Sequence, residues 1–153
     1  MAKTFVSILV GIAIGEGKIK SIDQPVGDFI PEYSAEGEFA SGGKEGKKAN
    51  ITIRHLLTMS SGINFDESYK SPIGFPAEAY YGTNLPELIF KYDAVEEPGK
   101  YFEYLSGNTQ LLAFVLNKAT GMSLSDYTSE KLWKPIEAEY DAYWSLDKKG
   151  GDE

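Results

Sequence analysis

The chain has 153 residues, of which 42% are hydrophobic, and its formal net charge is −8. This length supports one domain with a hydrophobic core. The acidic balance argues against nucleic acid as a partner, because phosphates are bound by clustered Lys and Arg. Without Cys and with a single His, the chain has neither disulfides nor a thiolate or His-rich zinc site. Carboxylate sites stay open, and we predict no metal and no cofactor.

The first predicted element is the apolar stretch from Met1 to Gly15. Two interpretations compete: a buried helix in which Gly11 and Gly15 permit close approach of another element, or a secretory signal. The stretch has no convincing small-x-small cleavage site and is too short to span a membrane. We therefore favour the buried helix.

A polar segment between Tyr33 and Asn50 comes next and predicts an exposed loop with solvated Lys47 and Lys48. A short helix is then expected after Thr52, a suitable N-cap, and Ser61-Gly62 ends it. His55 lies on this helix. We interpret it as a hydrogen-bonded structural histidine rather than a base.

The stretch from Asn64 to Thr83 is predicted to be irregular and carries several aromatic residues, which either overhang a cleft or pack on the core. A helix begins at Asn84 or Leu85, with Pro86 in its first turn. Further along, the Ser123-Leu124-Ser125-Asp126 box opens a helix that runs through Trp133 and ends at Pro135.

The most informative stretch runs from Pro98 to Asn108 and precedes an apolar helix. Leu111, Val115 and Ala119 recur every four residues along that helix, and Gly121 is its stop signal. The helix and the Pro98-Gly99 turn hold Tyr104 and Ser106 in place between them. These hydroxyls are suited to exchange protons with one bound group, but an ordinary polar loop whose Tyr caps a neighbouring element explains the pattern as well.

Three motifs resemble those of the serine β-lactamase-like family, which includes class C β-lactamases, D,D-peptidases, esterases and 6-aminohexanoate-dimer hydrolases. The most specific match is Ile51-Thr52-Ile53-Arg54-His55-Leu56-Leu57-Thr58-Met59-Ser60-Ser61-Gly62. Phe102-Glu103-Tyr104 resembles the family's Y-x-N region. Met1-Ala2-Lys3-Thr4-Phe5 resembles the last part of its S-x-x-K motif, with Lys3 as the lysine.

The chain also departs from the family pattern. The serine of S-x-x-K would stand directly before Met1, and the apolar helix without an N-terminal cap fits a helix that begins further upstream. Two other S-x-x-K matches, Ser41 to Lys44 and Ser145 to Lys148, lie in loops and lack the required helix. The downstream triplet of Lys or His, Ser or Thr, and Gly is absent. Ser106 stands where many members have Asn, which resembles the aminohexanoate-dimer hydrolase and esterase branch.

The resemblance implies catalysis through an acyl-enzyme on a serine. Lys3 would act as the base, Tyr104 would relay the proton to the leaving group, and Ser106 would help to hold the substrate or Lys3. The implied substrate is a small-molecule amide or ester. With the serine and the downstream strand outside the chain, we expect residues 1–153 to be inactive alone.

The fold implied by the resemblance is mainly α with long irregular loops: the helical lobe of the α/β β-lactamase fold, without its antiparallel sheet. We expect residues 1–153 to form one such fragment. Apolar surface left open by the missing sheet predicts homodimerisation, and the family suggests a periplasmic or cell-envelope location for the parent.

Two alternatives are retained. The first is a non-catalytic module that binds peptides or glycans in the same Tyr-lined cleft. The second is a small secreted protein whose first helix is a signal peptide. The adjacent coding sequence discriminates between the enzyme and the binding module, because only the enzyme requires a Ser codon upstream of Met1. For the secreted protein, mass spectrometry of secreted material would show the loss of the first helix.

Overall fold

The computed structural model of the chain describes residues 2–33 and 44–146, and its side chains in the second range from residue 46 onward. Over these ranges the backbone forms six α-helices: α1 (Ala2–Gly15), α2 (Ile53–Leu57), α3 (Phe75–Tyr81), α4 (Leu85–Phe90), α5 (Ser106–Thr120) and α6 (Leu124–Thr128). A π-helical turn at Ser129–Trp133 continues α6, and short 3₁₀ helices occupy Val26–Asp28, Pro31–Tyr33 and Lys44–Asn50. In the same ranges, β pairing is confined to the isolated bridges Pro25–Thr52 and Ile63–Ala94. The prediction of a mainly α chain with irregular connections is confirmed.

The core is centred on α5, which packs against α1 and α2. Leu111 and Val115 of α5 are completely buried, because their four-residue spacing places them on one helix face. Leu9 from α1 and Ile53 from α2 are buried against this face in the same hydrophobic cluster. Packing on both neighbours fixes where α5 begins, and the site described below lies at that end.

Helix α1 confirms the buried-helix interpretation of the N-terminal stretch, since Leu9, Val10 and Ala13 lie in the core. Its other face is open to solvent among the described residues: Ile8 is 42% exposed, and a Cβ at Gly11 would meet nothing within 4 Å. None of the described helices is long and apolar enough to cross a membrane. Self-association through this open face stays a prediction.

Local capping signals predicted the later helices correctly. The Asn84 side chain accepts the backbone N–H of Glu87 (3.3 Å) at the start of α4. The Ser123 side chain accepts the backbone N–H of Asp126 (3.0 Å) at the start of α6. Each cap satisfies a donor that the first turn of a helix leaves without a partner.

The stretch from Asn64 to Thr83 is not irregular throughout, because it contains α3. The helix is stabilised by an aromatic cluster in which Phe75 lies 4.9 Å from Phe65 and 5.9 Å from Tyr92, measured between ring centres. Tertiary packing of this kind stabilises a short helix that has no helical periodicity of its own.

The prediction of a solvated Lys48 is wrong. Only 6% of Lys48 is exposed, its Nζ donates to the carbonyl of Phe90 (3.2 Å), and it pairs with Asp93 at 3.1 Å. A buried ammonium needs such partners, because its hydration is lost. The segment 44–50 is helical rather than an open loop, while residues 34–43 of the predicted loop lie outside the described residues.

Candidate active site

The first turn of α1 and the start of α5 bring Lys3, Tyr104 and Ser106 together. The Lys3 Nζ atom donates a hydrogen bond to the Ser106 Oγ atom (3.2 Å) and lies 4.9 Å from the centre of the Tyr104 ring. At this distance an ammonium is attracted to the ring's electron-rich face. All three predicted site residues therefore share one location, although 103 positions separate Lys3 from Ser106 in the sequence.

Tyr104 is presented by residues 98–105, a segment that we call the strap. Backbone hydrogen bonds fasten it to the end of α2: the N–H of Gly99 donates to Ser60 (2.7 Å) and that of Glu103 donates to Met59 (2.8 Å). Met59 adopts a left-handed φ of 54°, which is unusual for a residue other than glycine. The family-like segment 51–62 therefore serves as the support for the strap.

The position of Ser106 is fixed by a buried polar contact next to it. The Ser61 hydroxyl donates to the Asn108 Oδ1 atom at 2.7 Å, and Asn108, which lies in the first turn of α5, is completely buried. Buried side-chain hydrogen bonds of this kind specify one relative arrangement of the elements that they join. Here they join the end of α2 to the start of α5.

A fourth group, the carboxylate of Glu67, was missed by the sequence analysis. The Ser106 hydroxyl donates to Glu67 Oε1 (2.5 Å), and the Ser106 backbone N–H donates to Glu67 Oε2 (2.8 Å). The Tyr69 hydroxyl also donates to Oε1 (3.0 Å). Glu67 and Tyr69 lie in the aromatic stretch before α3, where no periodicity places a side chain. In the sequence, the one indication that these residues belong to a site was an acidic residue next to aromatic residues in a segment without a regular pattern.

His55 has the structural role that the sequence predicted. Its Nδ1 atom accepts the backbone N–H of Thr52 (3.2 Å) at the start of α2. Burial lowers the pKa of His55, and a hydrogen bond with the backbone of Asn50 opposes that shift in part. The neutral ring that burial favours keeps the lone pair on Nδ1 that this contact requires.

A pocket of about 290 Å³ opens beside Ser106. Its polar lining includes Ser106 and Gln110, and its other walls are mostly apolar or aromatic: Phe75, Pro76, Ala79, Tyr80, Leu85 and Leu146. A larger groove of about 540 Å³ is lined in part by Phe5 and Trp133, and neither Lys3 nor Tyr104 belongs to its lining. Among residues 2–33 and 44–146, no group of three or more His, Cys, Asp or Glu side chains could hold a metal ion.

The chain resembles known proteins both in sequence and in structure. Residues 1–149 match the family model described as Beta-lactamase. The 6-aminohexanoate-dimer hydrolase of Paenarthrobacter ureafaciens is 26% identical over a match that covers 98% of this chain and 38% of that enzyme.

Two solved structures superpose on most of the chain. A penicillin-binding protein from Bacillus halodurans has a TM-score of 0.70 at 21% identity and covers 97% of this chain and 43% of its own. A D-stereospecific amidohydrolase from Streptomyces has a TM-score of 0.66 at 26% identity and covers 89% and 40%. The chain thus spans about two fifths of the length of these relatives. The family match over nearly all of its residues establishes that this chain belongs to the beta-lactamase family of serine hydrolases.

Proposed function

We propose that residues 1–153 form the helical lobe of a serine hydrolase and contribute a lysine and a tyrosine to its acyl-transfer site. The observation that carries this proposal is the position of the Lys3 Nζ atom between the Tyr104 ring and the Ser106 hydroxyl. An amine held beside a phenol by packed helices is the arrangement that general-base activation of a hydroxyl nucleophile needs.

In the proposed reaction a serine hydroxyl attacks the carbonyl carbon of the substrate, and Lys3 accepts the hydroxyl proton. Tyr104 passes a proton to the leaving group, and water then cleaves the acyl-enzyme. In S-x-x-K the serine precedes the lysine by three positions, so it lies one helical turn away on the same face. A serine three positions before Lys3 would therefore face the strap that carries Tyr104.

The pocket beside Ser106 supports a small substrate with an aliphatic or aromatic group next to the scissile bond. Its volume of about 290 Å³ is at the lower end of the range for small-molecule sites, and its walls are largely apolar. The names of the 6-aminohexanoate-dimer hydrolase and the D-stereospecific amidohydrolase favour an amide, and ester cleavage proceeds by the same acyl-enzyme chemistry.

The test begins with the coding sequence on both sides of this chain. We expect a Ser codon directly before Met1 and a downstream triplet of Lys or His, Ser or Thr, and Gly. The extended protein should hydrolyse p-nitrophenyl acetate or nitrocefin, and Lys3→Ala or Tyr104→Phe should lower kcat by about 10²-fold or more. The 153-residue chain should show no turnover alone.

Two results would contradict the proposal in different ways. Turnover by the 153-residue chain, abolished by Lys3→Ala, would refute its inactivity alone but keep the roles of Lys3 and Tyr104. A start signal at Met1 with no serine codon upstream would refute the acyl-transfer site. That second result would favour a non-catalytic peptide- or glycan-binding module, for which the exposed rings of Tyr69, Tyr80 and Tyr104 provide a surface.

A further inference from the structure

We propose that Glu67 is a positioning residue that fixes the amine of Lys3 through the hydroxyl of Ser106. The contacts of Glu67 are features of the structure alone. Their role in catalysis rests on the proposed function, in which Lys3 is the base. Glu67 lies 39 positions before Ser106 in the sequence, and both oxygens of its carboxylate are used there.

The number of protons at Ser106 determines the direction of each hydrogen bond. A serine hydroxyl has one proton to donate and two lone pairs that accept. A carboxylate oxygen only accepts, so the Ser106 hydroxyl donates its one proton to Glu67 Oε1. Ser106 therefore accepts from Lys3, whose Nζ atom lies 3.2 Å away.

This direction matters for a lysine that serves as a base. If Ser106 donated its proton to a neutral Lys3, it would occupy the single lone pair with which the amine takes up a proton. With its own proton on Glu67, Ser106 binds an N–H of Lys3 and leaves that lone pair for the nucleophile. In this arrangement Ser106 holds Lys3, which is one of the two roles that the sequence left open.

Tyr69 supports the same arrangement from the other side. Its hydroxyl donates to Glu67 Oε1 (3.0 Å) and lies 3.4 Å from Ser106 Oγ. Two donors on one oxygen hold the carboxylate in a single orientation toward Ser106. Hydrogen bonds therefore connect Tyr69 to Glu67 and Glu67 to Ser106, and Ser106 in turn binds Lys3. We call this series of contacts the relay.

A purely structural explanation must be separated from this one. Glu67 Oε2 accepts the backbone N–H of Ser106 (2.8 Å) at the start of α5, where the N-cap residue Leu105 provides no side-chain cap. The carboxylate therefore also caps α5 from a distance. Because the cap uses Oε2 and the relay uses Oε1, substitutions can remove one without the other.

The experiment is a double-mutant cycle on the 153-residue chain with two readouts. Ser106→Ala removes the relay but keeps the backbone cap, whereas Glu67→Ala removes both. Acetylation of Lys3 by acetic anhydride is followed by peptide mass spectrometry and normalised to the exposed Lys18. Urea unfolding of each variant measures the cap. Neither readout needs turnover, so a failed hydrolase assay and a failed relay are distinguishable.

We expect Ser106→Ala to raise the acetylation rate of Lys3 by about fivefold, because the loss of one hydrogen bond releases the Lys3 side chain to the reagent. Glu67→Ala should raise it equally, and the double variant should show no further increase. Ser106→Thr, which keeps a hydroxyl, should restore the slow rate. Of these variants, only Glu67→Ala and the double variant, which lose the cap of α5, should unfold at a lower urea concentration.

The relay is overturned if Ser106→Ala leaves the Lys3 rate unchanged, or if the effects of the two substitutions add in the double variant. Either result would reduce Glu67 to a cap of α5. Should Glu67→Ala fail to fold, Glu67→Gln replaces it: while its one amide oxygen keeps the cap, its NH2 group faces Ser106 Oγ and cannot accept the hydroxyl proton. An unchanged Lys3 rate in that variant would count equally against the relay.

Discussion

Gly107 lies directly against the ring of Phe65: a Cβ atom added to Gly107 would come within 2.6 Å of ring atoms Cε2 and Cζ. Contacts this short do not occur between real carbon atoms in a packed core. The second residue of α5 therefore has to be glycine for the loop before α3 to approach closely. This approach places Glu67 within reach of Ser106.

We expect Gly107→Ala to lower the free energy of unfolding by about 1–3 kcal/mol, because Phe65 or the start of α5 must move to make room. Urea unfolding measures the change. Gly11→Ala is the matched control, since nothing lies within 4 Å of its added Cβ, and alanine in a helix should stabilise by about 0.5–1 kcal/mol. Equal stability of Gly107→Ala and the unchanged chain would show that the Phe65 ring moves aside without cost.

The buried pair of Ser61 and Asn108 gives a second prediction. Ser61→Ala leaves the Oδ1 atom of Asn108 buried without its hydroxyl donor, and we expect a loss of about 1–3 kcal/mol in the free energy of unfolding. Ser7→Ala, an exposed position on α1, should change it by less than about 0.5 kcal/mol. A loss at Ser61 no greater than that at Ser7 would mean that water replaces the missing donor.

Two buried tyrosines differ in whether their hydroxyl has a partner. Among the described residues, the hydroxyl of Tyr33 makes no hydrogen bond, whereas that of Tyr127 donates to Glu16 at 3.1 Å. We therefore expect Tyr33→Phe to keep the free energy of unfolding unchanged or raise it by up to about 1 kcal/mol. Tyr127→Phe should lower the urea midpoint. If Tyr33→Phe loses stability and Tyr127→Phe does not, the hydroxyl with a stabilising partner is that of Tyr33.

The same pair predicts the alkaline titration of the chain. Burial and the hydrogen bond to Glu16 raise the pKa of Tyr127 to about 12, and burial raises the pKa of Tyr33 as well. Burial also raises the pKa of Tyr92, so tyrosinate absorbance should show three residues that ionise late in the titration. Tyr127→Phe should remove one of them and leave the early part of the curve unchanged.

His55 should make stability depend on pH below its ordinary pKa of 6.5. Burial lowers the pKa of His55 in the folded chain, so the unfolded chain binds a proton more readily. The free energy of unfolding should be highest above pH 6.5 and fall as the pH decreases from there toward the folded pKa. Unfolding by urea at about pH 7.5 and about pH 5.5 measures this slope.

His55→Gln is the matched variant, because a Gln three residues after Thr52 keeps an acceptor for the backbone N–H of Thr52. It should remove the slope above about pH 5. Both proteins should still lose stability at lower pH, where Glu16 and Asp23 lose the contacts with Lys131 and Arg54 that lower the pKa values of the two carboxyls. If the free energy of unfolding of His55→Gln depends on pH in the same way, another group causes the dependence.

Local signals in the sequence predicted the elements that depend on local chemistry. Ser123 caps a helix as expected, α4 begins at Leu85, one of the two predicted starts, and the spacing of Leu111 and Val115 predicted the buried face of α5. The pairing of Lys3 with Tyr104 came from the resemblance to a family and not from any pattern, since nothing in composition or spacing joins residues so far apart. The proximity of the two side chains is a property of the fold, whereas their catalytic roles stay a prediction.

The features that could not be predicted all depend on distant contacts. Lys48 looks like a solvated lysine in a polar stretch. Its burial depends on distant partners, among them the carbonyl of Phe90, 42 positions away, and the carboxylate of Asp93. Glu67 lies in a segment without periodicity, so no pattern in the sequence indicates its contact with Ser106, 39 positions later. Helix α3 likewise depends on aromatic partners outside its own sequence.

The strap holds Tyr104 by backbone groups, and this has a consequence for how such a protein can change over time. The side chains of Tyr101 and Phe102 are 57% and 74% exposed and take no part in the bonds from Gly99 and Glu103 to the end of α2. Mutations at these two positions can therefore change the exposed surface of the strap while the phenol keeps its place. The chain thus separates side chains that evolution can vary from the backbone contacts that hold Tyr104.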